Sequence, residues 1–158
     1  MRIGYACGQT PVVKCAPNRD STHFFGALNL LNGKVISMRS PIMNPATAAL
    51  FLQQLLAAYP DRPLLLCWDR ATWHRGEGVK RLLAEHPQLE ILCFPPGSPD
   101  LNPQEHVWKA TRQAISHNHT ETKLDVLAHQ FEKHLNEATF PSSLLQLHDD
   151  QRICMLFN

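Results

Sequence analysis

The sequence predicts an α/β fold, in which a mixed sheet is flanked by helices. Residues 64–68 form a continuous apolar run between Pro63 and Asp69, and residues 89–94, which end before Pro95, are apolar except for Glu90. We predict that both segments are strands buried on both faces. Segments with the apolar spacing of amphipathic helices lie before, between and after these runs. Alternation of strands and helices along a chain indicates a layered α/β architecture.

The first forty residues predict an antiparallel opening of the sheet. Residues 12–15, 21–31 and 34–39 are rich in the apolar and β-branched side chains that favour strands. Between the last two segments, Asn32-Gly33 predicts a tight hairpin turn of the Asn-Gly type. These two segments are therefore expected to be neighbouring antiparallel strands.

Asn44 and Pro45 predict the start of the first helix, because asparagine is a good N-cap and proline suits the first helical position. The helix is expected to end at residue 58, before a proline-containing segment. Its apolar stripe is expected to consist of Leu50, Phe51, Leu55 and Leu56. Three further helices are predicted, at residues 77–85, 103–116 and 122–138.

The composition restricts the kind of protein that this chain can be. Its 15 Lys and Arg residues against 14 Asp and Glu give a formal net charge of +1, too little for a strong field that attracts a polyanion. Five cysteines without a C-x-x-C pair argue against a disulfide framework or a zinc ribbon, and favour a reducing, cytoplasmic setting. Cys67 and Cys93 are expected to pack in the core. No signal segment or membrane-length apolar stretch is present, so no membrane partner is expected.

The 158 residues are expected to form a single domain, residues 1–158. The charged residues are distributed unevenly along the chain. The first 60 residues hold five basic side chains and one acid, Asp20, so a modest phosphate-contacting face is expected there.

Two acidic side chains have positions that suit a shared site. Asp69 directly follows the apolar run at residues 64–68, and the carboxyl ends of strands are where ligands gather in open α/β sheets. Asn102 and Pro103 predict a helix start that places Glu105 in the first turn. Each acid also has an ordinary structural interpretation: Glu105 as a capping-box carboxylate, and Asp69 as a turn or N-cap residue. Residues alone leave both interpretations open.

A resemblance favours the shared site. It rests on two blocks, WDRATWH at residues 68–74 and FPPGSPDLNPQE at residues 94–105, followed by Trp108 and Arg112. Together they resemble the DDE transposases of the mariner superfamily, in their bacterial insertion-sequence branch, over roughly residues 8–136. The second block is highly specific. The first departs from the family pattern at Arg70, where asparagine is usual, and Gly97 in the second replaces an aromatic residue.

The resemblance implies an RNase H-like (DDE integrase-type) mixed sheet flanked by helices, with Asp69 and Glu105 as the second and third catalytic acids and metal ligands. The implied cofactor is Mg²⁺ or Mn²⁺, which carboxylates hold together with a substrate phosphate. The implied DNA contacts are His74, Lys109 and Arg112. The structural residues of the motif are Asn102, Pro103 and Trp108.

The first acid of the family triad has no counterpart on a first strand. The only acid before Asp61 is Asp20, which stands beside Arg19 in a predicted connection between strands. We therefore expect a sheet whose first strand is missing or replaced, and a domain truncated at its N-terminus without a helix-turn-helix region. Residues 2–5, residues 10–15 or a segment of a second copy are expected to occupy the vacated position.

Two functions of different class follow. One is a DDE-type transposase or endonuclease domain for Mg²⁺-dependent DNA hydrolysis and strand transfer, with transposon-end DNA as partner. With an incomplete triad, this chain is expected to be inactive and to bind metal weakly or not at all. The alternative is a non-catalytic remnant that forms a homodimer, or acts as a dimerisation or competing partner of a full-length transposase. Outside this family, a generic α/β phosphoryl-transfer domain would leave the second block unexplained.

Overall fold

The computed structural model describes residues 21–97, 102–117 and 121–141. Four strands and four α-helices are found there. In chain order they are β1 (His23–Leu28), β2 (Val35–Ser40), α1 (Pro45–Ala58), β3 (Leu64–Trp68), α2 (Glu77–Glu85), β4 (Leu89–Cys93), α3 (Pro103–Thr111) and α4 (Leu124–Glu137). A 3₁₀ helix at Thr72–Arg75 follows β3, and a π-helical turn at Arg112–Ser116 follows α3. The mixed α/β class predicted from the sequence is confirmed.

The hairpin of β1 and β2 is antiparallel, as predicted, but its turn is wider than a two-residue Asn-Gly turn. Asn29 and Lys34 close it, with a hydrogen bond of 2.8 Å from the Asn29 N–H to the Lys34 carbonyl. Gly33 has a φ of 67° and donates its N–H to the Asn29 carbonyl. A Cβ at Gly33 would lie 2.3 Å from the Phe140 carbonyl oxygen, so only glycine fits this turn.

Helix α1 begins at the predicted residue, and its cap is a reciprocal capping box. The Asn44 side chain accepts a hydrogen bond of 2.8 Å from the Thr47 N–H, and the Thr47 hydroxyl accepts one of 3.0 Å from the Asn44 N–H. The predicted apolar stripe was wrong in one position, since Leu50 is 56% exposed whereas Leu52 is buried. Residues spaced by three or four positions share a helix face, and the buried face consists of Ala48, Phe51, Leu52 and Leu55.

The hairpin lies between two hydrophobic clusters because alternate side chains of a strand point to opposite faces. Phe25 and its neighbours on that face pack against α1, with the rings of Phe25 and Phe51 5.4 Å apart. Phe24 and Val35 on the other face join a cluster with α3 and α4. The ring of Phe24 lies 5.0 Å from that of Phe131. Helices therefore cover both faces of β1 and β2.

Strands β3 and β4 are parallel, and they pack against α1 and α2 through one face only. The prediction that both strands are buried on both faces is wrong. Leu65 and Leu92 on the opposite face are 39% and 55% exposed, because the described helices cover only the face that carries Leu64 and Leu66. Cys93 is also exposed rather than in the core, and Cys67 is partly buried.

Within the described ranges, β1 pairs only with β2 and β3 only with β4, so no strand is hydrogen-bonded between β1 and β3. The segments expected to occupy that position, residues 2–5 and 10–15, lie outside the described residues, as does Asp20. The prediction of a single domain also stays a prediction. No helix of the described residues is long and apolar enough to cross a membrane.

Candidate functional site

Asp69 lies immediately after β3, at the carboxyl end of the strand. Its Oδ1 atom accepts a hydrogen bond of 3.0 Å from the Ala71 N–H and lies 3.0 Å from His74 Nε2. Among the described residues, Oδ2 has no hydrogen-bond or ion-pair partner. The side chain is 63% exposed. Asp69 is thus held through one carboxylate oxygen while the other remains accessible.

His74 is placed beside Asp69 by the 3₁₀ helix, which turns the chain back over the end of β3. Its ring stacks on the Trp68 indole, with centroids 4.0 Å apart and an interplanar angle of 23°. The Nδ1 atom is buried and finds no hydrogen-bond partner in the part of the chain that the structure describes. Burial lowers the pKa of His74, and this outweighs the opposing effect of the Asp69 carboxylate.

The ends of β3 and β4 are joined by two hydrogen bonds. The Phe94 N–H donates to the Trp68 carbonyl at 2.9 Å, and Arg70 Nε donates to the Phe94 carbonyl at 3.1 Å. The second sequence block begins at Phe94, so both blocks leave the sheet at one edge. Arg70, which stands where the resembling family usually has asparagine, therefore has a structural contact of its own.

Glu105 occupies the first turn of α3, which begins at the predicted residues. The Asn102 side chain caps this helix by accepting a hydrogen bond of 3.1 Å from the Gln104 N–H, and Pro103 takes the first position. The Glu105 N–H donates to the Asn102 carbonyl. The capping-box interpretation of the Glu105 carboxylate is not supported, since among the described hydrogen bonds its side chain does not return to Asn102. This exposed carboxylate lies at the positive end of the helix dipole.

Helix α3 is seated on β1 by Trp108 and Gln104. A Cβ at Gly26 would lie 2.5 Å from the Trp108 ring and 2.9 Å from Gln104 Nε2, so both side chains press against the glycine of the strand. Trp108 also lies 6.4 Å from the Phe131 ring. Its position supports core packing over base stacking. Gln104 was not predicted from the sequence, although it shares a helix face with Val107, Trp108 and Thr111, all of which are at least partly buried.

Gln104 is 8% exposed, and neither the oxygen nor the nitrogen of its buried amide has a hydrogen-bond partner within the described ranges. Lys109 and Arg112 are both exposed, the first on α3 and the second in the π-helical turn. Neither side chain forms an ion pair with a described residue. Their assignment as DNA contacts, like that of His74, stays a prediction.

The basic residues of the hairpin have structural partners. Lys34 Nζ donates to the carbonyls of Glu137 and Ala138, which lie at the C-terminal end of α4. Arg39 is paired with the Asp125 carboxylate and donates to the Thr22 hydroxyl. Two of the five basic side chains that suggested a phosphate-contacting face therefore stabilise the packing of α4 instead.

The donor chemistry of the two acids fits a hard divalent cation. Carboxylate oxygens are the ligands that Mg²⁺ and Mn²⁺ prefer, and Mg²⁺ is commonly held by one or two carboxylates together with substrate phosphates. In the described ranges, no three His, Cys, Asp or Glu side chains group closely enough to hold a metal ion by themselves. That Asp69 and Glu105 share a cation stays a prediction.

Comparisons with known proteins bear on this arrangement. Residues 2–128 match a family model described as DDE superfamily endonuclease. The chain is 26% identical, over 113 residues, to the insertion element IS630 uncharacterized 39 kDa protein of Shigella sonnei, covering 71% of this chain and 33% of that protein. The chain thus spans about a third of the length of that curated relative.

Solved structures show the same fold. One is the Mos1 transposase paired-end complex with left transposon end, with a TM-score of 0.66 and 18% identity over 92% of this chain and 45% of that one. Another is the catalytic domain of Mos1 mariner transposase, with a TM-score of 0.61 and 15% identity over 78% of this chain and 65% of that one. The predicted RNase H-like fold is confirmed.

Proposed function

Because this chain belongs to the DDE superfamily endonuclease family, we propose that it is the catalytic portion of an insertion-sequence transposase of the mariner type. Its substrate class is the DNA phosphodiester, and Asp69 and Glu105 are two of the carboxylates that bind the divalent cations. The observation that carries this proposal is the setting of Asp69. One of its oxygens is anchored at a strand end while the other has no described partner.

The residues of this chain would bind the cations and orient the DNA phosphates. Asp69 and Glu105 would each supply carboxylate oxygens, and the exposed cations Lys109 and Arg112 would contact phosphates along α3. When bound, a pair of Mg²⁺ ions supplies activation of the attacking hydroxyl and stabilisation of the leaving oxygen in displacement at phosphorus. The proposal that transposon ends are the DNA partner is supported by one structural neighbour, the Mos1 transposase paired-end complex with left transposon end.

We further propose that these 158 residues do not cut DNA by themselves. Asp20 is the only acid before Asp61, and the sequence predicts that it stands in a connection between strands, so we infer that these residues lack the first carboxylate of the family triad. Two carboxylates with exposed side chains should bind a divalent cation weakly, since affinity depends on ligand charge and number. Mg²⁺ and Mn²⁺ are both candidates.

The test is a calorimetric titration of the chain with Mn²⁺, in parallel with Asp69→Asn and Glu105→Gln. We expect weak binding in the original chain and a further loss of about tenfold or more in each variant, because each removes one anionic ligand. Glu85→Gln removes an exposed acid of α2 and should change nothing. Binding that is unchanged in Asp69→Asn would contradict the assigned ligands. Micromolar affinity, or nicking of supercoiled DNA with Mn²⁺, would contradict the proposed inactivity.

A non-catalytic role is the second candidate, in which the chain pairs with another copy or with a full-length transposase. It is favoured by the exposed apolar side chains of Leu65 and Leu92 on one face of β3 and β4. Light scattering of the original chain and of a Leu65→Ser, Leu92→Ser double variant tests it. A monomer in both cases, at all accessible concentrations, would count against self-association through this face.

A further inference from the structure

We infer that His74 is a positioning residue for Asp69: its Nε2–H holds carboxylate oxygen Oδ1, and the Trp68 indole holds the ring, so that Oδ2 is the oxygen presented to a cation. The inference deepens the proposed function, since it assumes that Asp69 is a metal ligand. The orientation of Asp69 by His74 is a separate claim that can be tested without metal.

The imidazole ring is held in place from more than one direction. It stacks on Trp68, the last residue of β3, at a centroid distance of 4.0 Å, and the Trp73 ring lies edge-on to it at 6.0 Å. Only 14% of the His74 side chain is exposed. A ring packed between two aromatic side chains has few alternative rotamers, so Nε2 is directed at Asp69 before any ligand arrives.

The location of the ring proton follows from hydrogen-bond chemistry. An ionised carboxylate can only accept, so an Nε2 atom at 3.0 Å from Oδ1 carries a proton. In the neutral ring, Nδ1 is then an acceptor, and it is buried without a described donor. The opposite tautomer would place two acceptors against each other at that distance. In this arrangement Nδ1 has no described hydrogen-bond partner, whereas Nε2–H donates to the Asp69 carboxylate. This indicates that the contact with Asp69 determines the position of the ring.

Two donors converge on one oxygen of Asp69. The Ala71 N–H and His74 Nε2 both lie 3.0 Å from Oδ1, and Ala71 immediately precedes the 3₁₀ helix whereas His74 lies within it. A carboxylate bound in this way loses little further rotational freedom when a cation binds Oδ2. Hydrogen-bonded partners of metal-binding carboxylates act in this manner, and their removal commonly weakens metal binding by about 10–100-fold.

The first experiment uses the metal-free chain. In ¹⁵N-labelled protein at neutral pH, we expect the His74 ring to show the Nε2–H tautomer with a proton signal protected from exchange with water. In Asp69→Ala this signal should broaden or vanish while Trp68 still stacks on the ring. A ring in the Nδ1–H form, or an Nε2 proton whose exchange is the same in Asp69→Ala, would overturn the inference.

The second experiment measures Mn²⁺ affinity in His74→Ala and His74→Gln, in each case below the melting temperature found by circular dichroism. We expect a loss of about 10–100-fold in His74→Ala and a partial recovery in His74→Gln, whose amide N–H can reach Asp69. Equal affinity in His74→Ala and the original chain would overturn the inference, because a residue with a packing role alone would change only the melting temperature. If the original chain binds no measurable Mn²⁺, the assignment of Asp69 and Glu105 as metal ligands in this chain fails, whereas the proton exchange experiment still decides whether His74 orients Asp69. If neither His74 variant folds, the proton exchange experiment, which needs only the original chain and Asp69→Ala, still tests the inference.

Discussion

The two acids of the candidate site lie in regions that are built differently. Asp69 is oriented by its own neighbours, since Ala71 and His74 both contact one carboxylate oxygen within six residues of sequence. Glu105 has no such partner among the described residues, and its position depends on how α3 is seated on β1. The strand-end acid is therefore organised locally, whereas the helix acid is organised by tertiary packing.

This difference separates two ways in which the site can be damaged. A change in residues 68–74 should alter Asp69 without moving Glu105. A change in the contact between α3 and β1 should move Glu105 and leave Asp69 oriented. The seat of α3 consists of Gly26, Gln104 and Trp108, and it contains no space for an added methyl group.

The largest effect is expected for Gly26→Ala. Its Cβ would lie 2.5 Å from the Trp108 ring, so the ring and α3 must shift, and overpacking of this kind costs about 1–3 kcal/mol of unfolding free energy. Urea denaturation measures this loss. The matched control is Gly78→Ala in α2, where the nearest atom to the new Cβ is the Ala49 Cβ at 3.6 Å. There we expect no loss, or a gain of up to about 1 kcal/mol from the better helix former.

Gly26→Ala also tests whether the two acids are organised independently of each other. In Gly26→Ala, the protected Nε2 proton of His74 should remain, because the contacts of Asp69 are local to β3 and the 3₁₀ helix. Loss of that signal in a folded Gly26→Ala chain would mean that the Asp69 region depends on the seat of α3 after all.

A smaller effect is expected from pH, through His74. Burial lowers its pKa in the folded chain below the ordinary 6.5, so the unfolded chain binds more protons between the two pKa values. Stability due to this group is therefore fully present above pH 6.5 and is lost as the pH falls through the folded pKa. Unfolding free energies at pH 7.5 and pH 5.5 should differ more for the original chain than for His74→Gln. If the unfolding free energy changed equally with pH in the original chain and in His74→Gln, the attribution of this pH dependence to His74 would be wrong.

The smallest effect is expected for Glu105→Gln on stability. The carboxylate is exposed and has no described partner, and only its interaction with the helix dipole is lost, so the change should be within about 0.5 kcal/mol. Thermal unfolding in the absence of metal checks this. A loss well above 1 kcal/mol would show that Glu105 has a structural partner and that the contrast with Asp69 is false.

Much of the local structure was predictable from the sequence, and the predictions that failed are informative. The start of α1 at Pro45 and of α3 at Pro103 followed from asparagine caps and proline, which act within one turn of helix. The burial of β3 and β4 on both faces was predicted wrongly. An apolar run shows that a strand is able to be buried, but whether a helix covers each face depends on residues elsewhere in the chain.

The sequence by itself determined the two motif blocks, and through them the family, because those residues stand at characteristic spacings that need no structure to be read. It also determined that Asp69 directly follows a strand and that Glu105 lies in the first turn of a helix. Only the tertiary structure decided that His74 turns back onto Asp69, that the Trp68 ring holds it, and that Gln104 and Trp108 close over Gly26. The physical reason is that caps and strand ends are set by interactions between near neighbours. Ring stacking and helix seating instead depend on side-chain packing in three dimensions, which residue spacing does not encode.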